Sequence, residues 1–333
     1  MMELKDNFGR VHNYLRLSLT DICNLNCAYC NPDKTKGMSS TSELMSVEQK
    51  LRVVELFVKY FGFKKIRLTG GEPLAGKGVV QFLEDVKALK QQYGFELCIT
   101  TNGTLLKGYL PQLNETGIEG INISLDSLNS ETYIKITRHD SLIKVLKTIN
   151  EAYEMGFNKI KINCVVIRGV NDDEITDFVE HFRDKYITVR FIEYMPFAQN
   201  GWNTSNFISS DEMILKLSKK YNIHRIDQSA GSVSSDYRIE GINCRAGFIS
   251  SISNHFCNSC NRLRVTSEGK LRLCLFGGRD TEFDLKNLLD NPDFTDLEIA
   301  GLIADHMRQK AYKHLPVEQL VKMDFNYMLK AGG

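Results

Sequence analysis

The feature of this sequence that most constrains its fold is a strand-then-helix pattern that repeats along the first two hundred residues. Strand-like runs lie at about 15–20, 65–69, 95–100, 120–124, 159–166 and 188–193. Helical patterns lie between them at about 47–61, 78–92, 110–115, 141–155 and 172–185. Because parallel strands need a long crossover, usually a helix, this order predicts an α/β fold. The parallel sheet is either a partial TIM-type (β/α)6 barrel or an open doubly wound sheet.

Capping residues mark the ends of the predicted helices. Ser46 with Gln49 predicts a capping box at the first helix, and Asn171 with Glu174 predicts one at the last. A glycine follows four of the helical patterns just before the next strand, as a C-terminal cap does. These glycines are Gly62, Gly94, Gly117 and Gly156.

Several predicted strands alternate between apolar and polar residues, although strands covered by helices on both faces are usually apolar throughout. In the first strand Leu15, Leu17 and Leu19 share one face, and Arg16, Ser18 and Thr20 share the other. We expect the apolar faces to meet the helices and the polar faces to line an interior that holds a ligand. The alternative is a set of edge strands, each with one solvated face.

Three cysteines follow the first strand on one short loop, in the run C-N-L-N-C-A-Y-C. They are Cys23, Cys27 and Cys30. Three thiolates can hold a 4Fe-4S cluster and leave its fourth iron free to bind a small molecule. A structural zinc site needs four ligands, and this loop has no fourth Cys or His. The pattern favours an open iron–sulfur site, with zinc or unligated thiols as alternatives.

A second cysteine group lies late in the chain with the spacing C-x2-C-x13-C. It consists of Cys257, Cys260 and Cys274. Residues 262–266 and 270–275 alternate like two strands of a β-hairpin, which would fold the third cysteine back beside the other two. The group again predicts a 4Fe-4S site with one open iron. A four-ligand zinc site that recruits His255 or Cys244 is the alternative.

The turn of this hairpin decides which side chains share a face with Cys274. A two-residue turn at Glu268 and Gly269 would pair Leu263 with Cys274 and put Glu268 at positive φ, which is unfavourable. A three-residue loop from Ser267 needs only the glycine there, in a type I turn with a G1 bulge. This loop pairs Arg262 with Cys274. We therefore predict that Arg262, Arg264 and the second cysteine group face one cavity.

Composition and length set broad limits on organisation. The chain has 333 residues and a net charge of +1, so no global field draws it to nucleic acid or membrane, and no apolar stretch is long enough to span a bilayer. We assign 1–200 to the partial barrel and 201–333 to a C-terminal region that closes its mouth. No signal-peptide pattern opens the chain, and its nine clustered cysteines indicate metal ligation in a reducing cytoplasm. Cys98, Cys164 and Cys244 have no motif and are expected to be buried.

Polar residues and glycines follow the predicted strands at their carboxyl ends, where parallel α/β enzymes place their active sites. The second strand is followed by the run G-G-E-P at 70–73. Together with the C-x3-C-x2-C loop and its aromatic Tyr29, this run resembles the motifs of the radical S-adenosylmethionine (SAM) superfamily. The resemblance implies that the open iron chelates SAM, which is cleaved to a 5′-deoxyadenosyl radical. It also implies SAM contacts from Tyr29, Gly71, Ser124 and Met195.

The second cysteine group, the R-L-R run and the terminal Gly332 and Gly333 closely resemble the GTP 3′,8-cyclase family of molybdenum cofactor biosynthesis. The resemblance implies two 4Fe-4S clusters, the second binding the guanine of GTP, and a radical that abstracts hydrogen from ribose C3′ before C3′ attacks C8. Catalysis would need no further side chain, because the cofactors carry the radical chemistry. The implied GTP contacts are Arg16, Arg67, Thr100, Lys161, Arg262, Leu263 and Arg264.

The same resemblance implies an unidentified electron donor and a downstream pyranopterin-forming enzyme that receives the product, and it allows a homodimer. The sequence departs from the family where Gly76, followed by Lys77, stands at a usually basic position, and at Asn31 and Ile22 beside the first cysteines. Two other functions stay open. One is a radical SAM peptide-maturation or other cofactor enzyme with an auxiliary cluster. The other is a metal-stabilised binding protein, for which nucleic acid is the expected partner.

Overall fold

A computed structural model of the chain describes residues 2–32, 43–227, 231–277, 281–323 and 328. The repeating pattern forms six parallel strands in chain order, which confirms the predicted α/β fold. They are β1 Tyr14–Ser18, β2 Lys65–Thr69, β3 Glu96–Thr101, β4 Gly120–Ser124, β5 Ile160–Val166 and β6 Thr188–Glu193. Each lies within about two residues of its predicted position. Gly332 and Gly333 lie outside the described residues.

Helices connect these strands as the sequence predicts, with one addition. They are α1 Val47–Phe61, α2 Val79–Tyr93, α3 Leu110–Thr116, α4 Ser130–Thr137, α5 Leu142–Glu154 and α6 Ile175–His181. Helix α4 was not predicted, and α6 is shorter at both ends than the pattern suggested. Among the described helices, none is both long and apolar enough to cross a membrane.

The two predicted capping boxes have different outcomes. The box of Ser46 and Gln49 is present at α1 and confirmed. The box of Asn171 and Glu174 is wrong, because both side chains have buried partners elsewhere. Asn171 donates to the carbonyl oxygen of Asp126 at 2.6 Å, and Glu174 accepts from Ser127 at 2.6 Å. These contacts tie the loop after β5 to the loop after β4.

The residues after 200 extend the same sheet at both of its edges. Their strands are β7 Ile223–Arg225, β8 Ser235–Ile239, β9 Arg245–Ile249, β10 Arg262–Val265, β11 Lys270–Arg272 and β12 Phe283–Asp284. Their helices are α7 Ser210–Ser218, α8 Leu285–Asp290, α9 Asp296–His306 and α10 Val317–Leu320. Strand β10 pairs in parallel with β1, and β9 pairs in parallel with β6. The division into 1–200 and 201–333 stays a prediction.

The order of strands leaves the sheet open in the part of the chain that the structure describes. It runs β12-β11-β10-β1-β2-β3-β4-β5-β6-β9-β8-β7, with the six repeat strands at its centre. This arrangement agrees with a partial barrel rather than a closed one. The predicted extension with a hairpin is β10 and β11, which pair antiparallel.

The two faces of the strands separate as the alternation predicted. Leu15, Leu17 and Ile66 are fully buried in the main core between the sheet and the helices. On the opposite face, Arg16, Asn122 and other polar residues line a cavity. The prediction of a polar interior is confirmed, and the edge-strand alternative is wrong for the central strands, because both of their edges are hydrogen-bonded.

The hairpin has the predicted three-residue loop. Arg264 pairs with Arg272, a register that places Arg262 opposite Cys274. Gly269 has φ of 77° and donates its N–H to the carbonyl oxygen of Thr266 at 3.0 Å. Only a glycine takes this backbone conformation without strain. Arg262, Arg264 and Cys274 accordingly line the same cavity.

Candidate active site

A cavity of about 310 Å³ extends along the polar faces of the repeat strands, from the loops at their carboxyl ends to Tyr14 and Arg262 at the amino ends of β1 and β10. Both cysteine groups reach it, although 227 positions separate Cys30 from Cys257 in the sequence. Strand β1 carries the first group on the loop that follows it. Strand β10, paired with β1, is preceded by Cys257 and Cys260. The parallel pairing of β10 with β1 therefore brings the two groups to the cavity from opposite ends of this strand pair, the first from the carboxyl end of β1 and the second from the amino end of β10.

The first cysteine loop is held against the end of α4. The backbone N–H of Ala28 donates to the carbonyl oxygen of Ile136 at 2.8 Å, and that of Asn26 donates to Thr137 at 3.2 Å. Burial raises the pKa of the Cys27 thiol well above its usual value, and that of Cys30 to about 12. Such thiols would stay protonated without a neighbouring cation. Metal coordination would deprotonate them, so they fit a bound iron–sulfur cluster.

The second cysteine group is spread over two elements. Cys257 lies in a 3-10 turn, Cys260 follows it, and Cys274 follows β11. Burial, together with the thiols of Cys274 and Cys260, raises the pKa of Cys257. All six of these cysteines are free thiols. No described group of three or more His, Cys, Asp or Glu side chains could hold a single metal ion. A cubane cluster differs, because each thiolate binds a different iron.

The G-G-E-P run packs tightly against the first cysteine loop. A side chain at Gly71 would place its Cβ 2.4 Å from the carbonyl oxygen of Ile22, so only glycine fits. The carboxyl group of Glu72 accepts from the N–H of Asn102 at 2.7 Å and the hydroxyl of Thr101 at 2.8 Å. Burial raises the pKa of Glu72 to about 7 despite these bonds. Glu72 thus joins the loops after β2 and β3, and the backbone of Gly71 borders the cavity.

All four residues implied to contact SAM line the cavity: Tyr29, Gly71, Ser124 and Met195. The hydroxyl of Tyr29 donates to a carboxylate oxygen of Asp126 at 2.8 Å. Burial raises the pKa of Asp126 to about 6. The second carboxylate oxygen accepts from the N–H of Val165 at 2.9 Å. Asp126 thereby fixes the side chain of Tyr29, which directly precedes Cys30 in the sequence.

The residues implied to contact GTP divide into two sets. Those that line the cavity are Arg16, Thr100, Arg262 and Arg264. Arg67 lies behind Tyr14, where its Nε donates to the Tyr14 hydroxyl at 2.6 Å. Lys161 is half-buried beside Arg190, and the side chain of Leu263 packs fully buried in the main core. Only the backbone of Leu263 is therefore placed to contact a ligand.

The cations around Tyr14 create a strongly positive pocket. Burial lowers the pKa of Arg16 to about 10 and that of Lys161 to about 8. Burial alone would raise the pKa of Tyr14, but Arg67, Arg16, Arg262 and Lys65 outweigh it and lower the value to about 7. Neighbouring cations repel one another, and a bound anion stabilises their charged forms. The pocket is thus arranged for a polyanionic ligand.

Several residues that line the cavity were not predicted as site residues, among them Tyr14, Arg190, Asn122 and Asn163. Among the described residues, Nε of Arg190 and Oδ1 of both asparagines are buried and have no hydrogen-bond partner. Such atoms indicate a polar ligand. The signal that could have identified them is the strand alternation, since each lies on the same polar face as Arg16 or its neighbours.

The structure also locates the cysteines outside the two triplets and Lys77, which follows a position where the sequence departs from the family. Cys98, Cys164 and Cys244 are buried, as predicted. Cys244 packs in the main core, so it cannot complete a zinc site with the second cysteine group. His255 lines the cavity near His314, with ring centroids 5.3 Å apart. Lys77, which follows Gly76, is exposed and is not among the residues that line the cavity.

Comparison with known families divides the chain in two. Residues 17–182 match the radical SAM superfamily, and residues 187–316 match the family described as Molybdenum Cofactor Synthesis C. An Arabidopsis thaliana protein named "GTP 3′,8-cyclase, mitochondrial" is 39% identical over 99% of this chain and 83% of its own. The GTP 3′,8-cyclase of Alkaliphilus metalliredigens is 38% identical over 99% of this chain and 100% of its own.

The chain belongs to the GTP 3′,8-cyclase family. Some relatives of this family are longer. A Dictyostelium discoideum protein named "Molybdenum cofactor biosynthesis protein 1" is 39% identical, and the chain covers 52% of its length. The chain therefore spans about half the length of such relatives.

Solved structures at lower identity share the fold of the family. The crystal structure of Streptococcus suis SuiB bound to S-adenosylmethionine has a TM-score of 0.62 at 15% identity, covering 93% of this chain and 74% of that one. The structure of anSMEcpe with bound AdoMet has a TM-score of 0.57 at 17% identity, covering 93% and 84%. These similarities support the fold of a radical SAM enzyme.

Proposed function

We propose that the chain converts GTP to (8S)-3′,8-cyclo-7,8-dihydroguanosine 5′-triphosphate, the first step of molybdenum cofactor biosynthesis. The observation that carries this proposal is that two cysteine triplets and a cluster of arginines open into one cavity. A cubane cluster with three protein ligands keeps one iron free, so each triplet can present an open iron to a ligand. Few other functions require two such sites beside a polyanion pocket.

The first triplet, Cys23, Cys27 and Cys30, would hold the cluster that binds SAM. When bound, this cluster and SAM would supply a 5′-deoxyadenosyl radical, which protein side chains cannot generate. Tyr29 borders this side of the cavity and is held by Asp126. Gly71, Ser124 and Met195 complete the predicted SAM contacts, and their common position around the cavity supports that assignment.

The second triplet, Cys257, Cys260 and Cys274, would hold the cluster that binds guanine. Arg16, Arg262 and Arg264 would bind the triphosphate, because guanidinium groups donate paired hydrogen bonds to phosphate oxygens. Arg67, behind Tyr14, and Lys161, beside Arg190, would add positive charge to the triphosphate site. Thr100 and the backbone of Leu263 would contact GTP from the cavity wall. Binding at both ends would fix the ribose between the two cofactor sites and exclude water from it.

The proposed reaction needs a partner that supplies electrons and another that uses the product. We place the reaction in the cytoplasm, with an electron donor that is still to be identified. A downstream pyranopterin-forming enzyme would receive the cyclised nucleotide. A homodimer is the assembly that we would test first.

The direct test is anaerobic incubation of the reconstituted protein with GTP, SAM and dithionite, followed by mass spectrometry. We expect a GTP-derived product with the mass of GTP and 5′-deoxyadenosine as the second product. With GTP carrying deuterium at C3′, the deuterium should appear in 5′-deoxyadenosine. Release of 5′-deoxyadenosine without any change in GTP would favour a peptide-modifying or other radical SAM enzyme. No SAM cleavage and no bound iron would favour a metal-stabilised binding protein.

A further inference from the structure

Lys310 is a buried cation that contacts the hairpin carrying Cys274 of the second cysteine group. It follows the 3-10 turn Met307–Gln309 after α9, and its side chain is only 4% exposed. Its Nζ donates to the carbonyl oxygen of Leu273 and, at 3.3 Å, to that of Arg262. Leu273 directly precedes Cys274, and the hairpin register places Arg262 opposite Cys274. The ammonium group therefore joins the two hairpin strands at the position of this cysteine.

No described carboxylate lies within ion-pair distance of Lys310, so its partners are neutral backbone carbonyls. The nearby His12 does not compensate its charge. Burial, and then the charge of Lys310, lowers the pKa of His12 to about 4, so His12 stays neutral near pH 7. The carboxylate of Asp6 is bound to Arg10 at 2.5 Å and to His12 at 3.0 Å. A buried ammonium without a counter-charge is unfavourable.

A cluster on the second triplet would supply that counter-charge, and this step rests on the proposed function. Three thiolates make a cubane cluster net negative, and reduction adds one more negative charge. We propose that Lys310 is a positioning residue for the second cluster, which holds the hairpin around Cys274 and raises the reduction potential of that cluster. The fixed positive charge favours the reduced state over the oxidised one, because the reduced state is more negative.

The test uses a protein that carries only the second cluster. In a Cys23→Ala, Cys27→Ala, Cys30→Ala background, the first triplet cannot bind iron. The second cluster is then reduced by one electron from dithionite, and its reduction is followed by electron paramagnetic resonance during an equilibrium redox titration. Iron analysis of this background protein comes first. If it binds no iron, the two-cluster proposal itself fails, and this outcome is distinct from a failure of the inference about Lys310.

The decisive substitution is Lys310→Gln, because the amide can still donate to a carbonyl but carries no charge. We expect the equilibrium constant for reduction to fall about tenfold, which corresponds to about 59 mV for a one-electron couple. Lys310→Arg should retain the potential of the parent. Lys50→Gln is a matched control, since Lys50 is another buried lysine, 6% exposed, on helix α1. It should leave the potential unchanged.

Each outcome decides the role of Lys310. An unchanged potential in Lys310→Gln, or an equal shift in Lys50→Gln, would overturn the inference. Loss of iron in Lys310→Gln but not in Lys310→Arg would support a requirement for the positive charge. Loss of iron in both Lys310 variants would overturn it, because the site would then require lysine for its shape rather than its charge.

Discussion

The two cysteine triplets line one cavity but are built in different ways. The first lies on a single loop, and the charged groups that act on its thiols belong to Glu72 and Asp126. The second is assembled from a 3-10 turn and a hairpin, with Arg10 and Lys310 bound to its backbone. Acidic groups surround the first site and cationic groups the second. The difference indicates that similar clusters could work at different potentials in one cavity.

The largest effect should come from substituting one cysteine of each triplet in two separate variants. Cys27→Ser should abolish SAM cleavage, because the first cluster loses a ligand. Cys260→Ser should instead lose the cyclised product while retaining some uncoupled cleavage of SAM. Each variant should keep about four of about eight irons after reconstitution. The measurements are iron content and release of 5′-deoxyadenosine with and without GTP.

Equal loss of SAM cleavage in the two variants would contradict this division of roles. An intact parent protein that binds fewer than about six irons after full reconstitution would contradict the presence of two cubane clusters.

A smaller effect is expected from the arginines that share the hairpin with the second triplet. The double variant Arg262→Ala, Arg264→Ala should weaken GTP binding on the order of a hundredfold, since each charged hydrogen bond contributes about 1.5–3 kcal/mol. Binding of SAM should change little, because these arginines belong to the second side of the cavity. Calorimetry with each ligand separates the two sides. Arg168→Ala is a matched control, as Arg168 pairs with Glu212 at the surface.

If GTP binding were unchanged in the double variant, the anion pocket would lie elsewhere. If SAM binding fell equally, the two sides of the cavity would not be independent.

The smallest effect concerns the pH dependence of GTP binding. The pKa of Tyr14 is lowered to about 7, against the effect of burial, by Arg67, Arg16, Arg262 and Lys65. Below this pH the phenol is neutral and the pocket keeps its full positive charge. Above it, the phenolate offsets one charge. GTP affinity should therefore decline about fivefold between about pH 6 and about pH 8, since one charge at close range contributes on the order of 1 kcal/mol.

The variant Tyr14→Phe lacks this ionisation and should show a weaker pH dependence than the parent. Comparing the two proteins cancels the titration of GTP itself. Parallel profiles for parent and variant would show that Tyr14 does not titrate in this range.

The two triplets could be predicted from the sequence to different extents, and the reason is physical. The first depends on local spacing, so Cys23, Cys27 and Cys30 could be identified from one loop. The second depends on the register of a hairpin, which could be derived because Glu268 disfavours positive φ and Gly269 does not. The contacts of Arg10 could not be predicted. Its Nη1 donates to the carbonyl oxygen of Cys257, 247 positions away, and backbone carbonyls carry no sequence signal.

Local motifs also failed where tertiary contacts were stronger. Asn171 and Glu174 have the spacing of a capping box, yet Asn171 donates to the carbonyl oxygen of Asp126 and Glu174 accepts from the hydroxyl of Ser127. The alternation of β2 predicted that Arg67 faces the interior, but not that Tyr14 lies in front of it. Both cases need the neighbouring strand, which a single segment of sequence does not contain.

The pairing of β10 with β1 has a consequence for biosynthesis of the protein. During translation the six repeat strands leave the ribosome long before their edge partners β9 and β10 are made. Until then β1 and β6 are unprotected strand edges, which can pair with other chains. Contacts between distant segments also form slowly. The nascent chain is therefore most exposed to misassembly just before its catalytic cavity can exist, and truncated forms that end before β10 should aggregate.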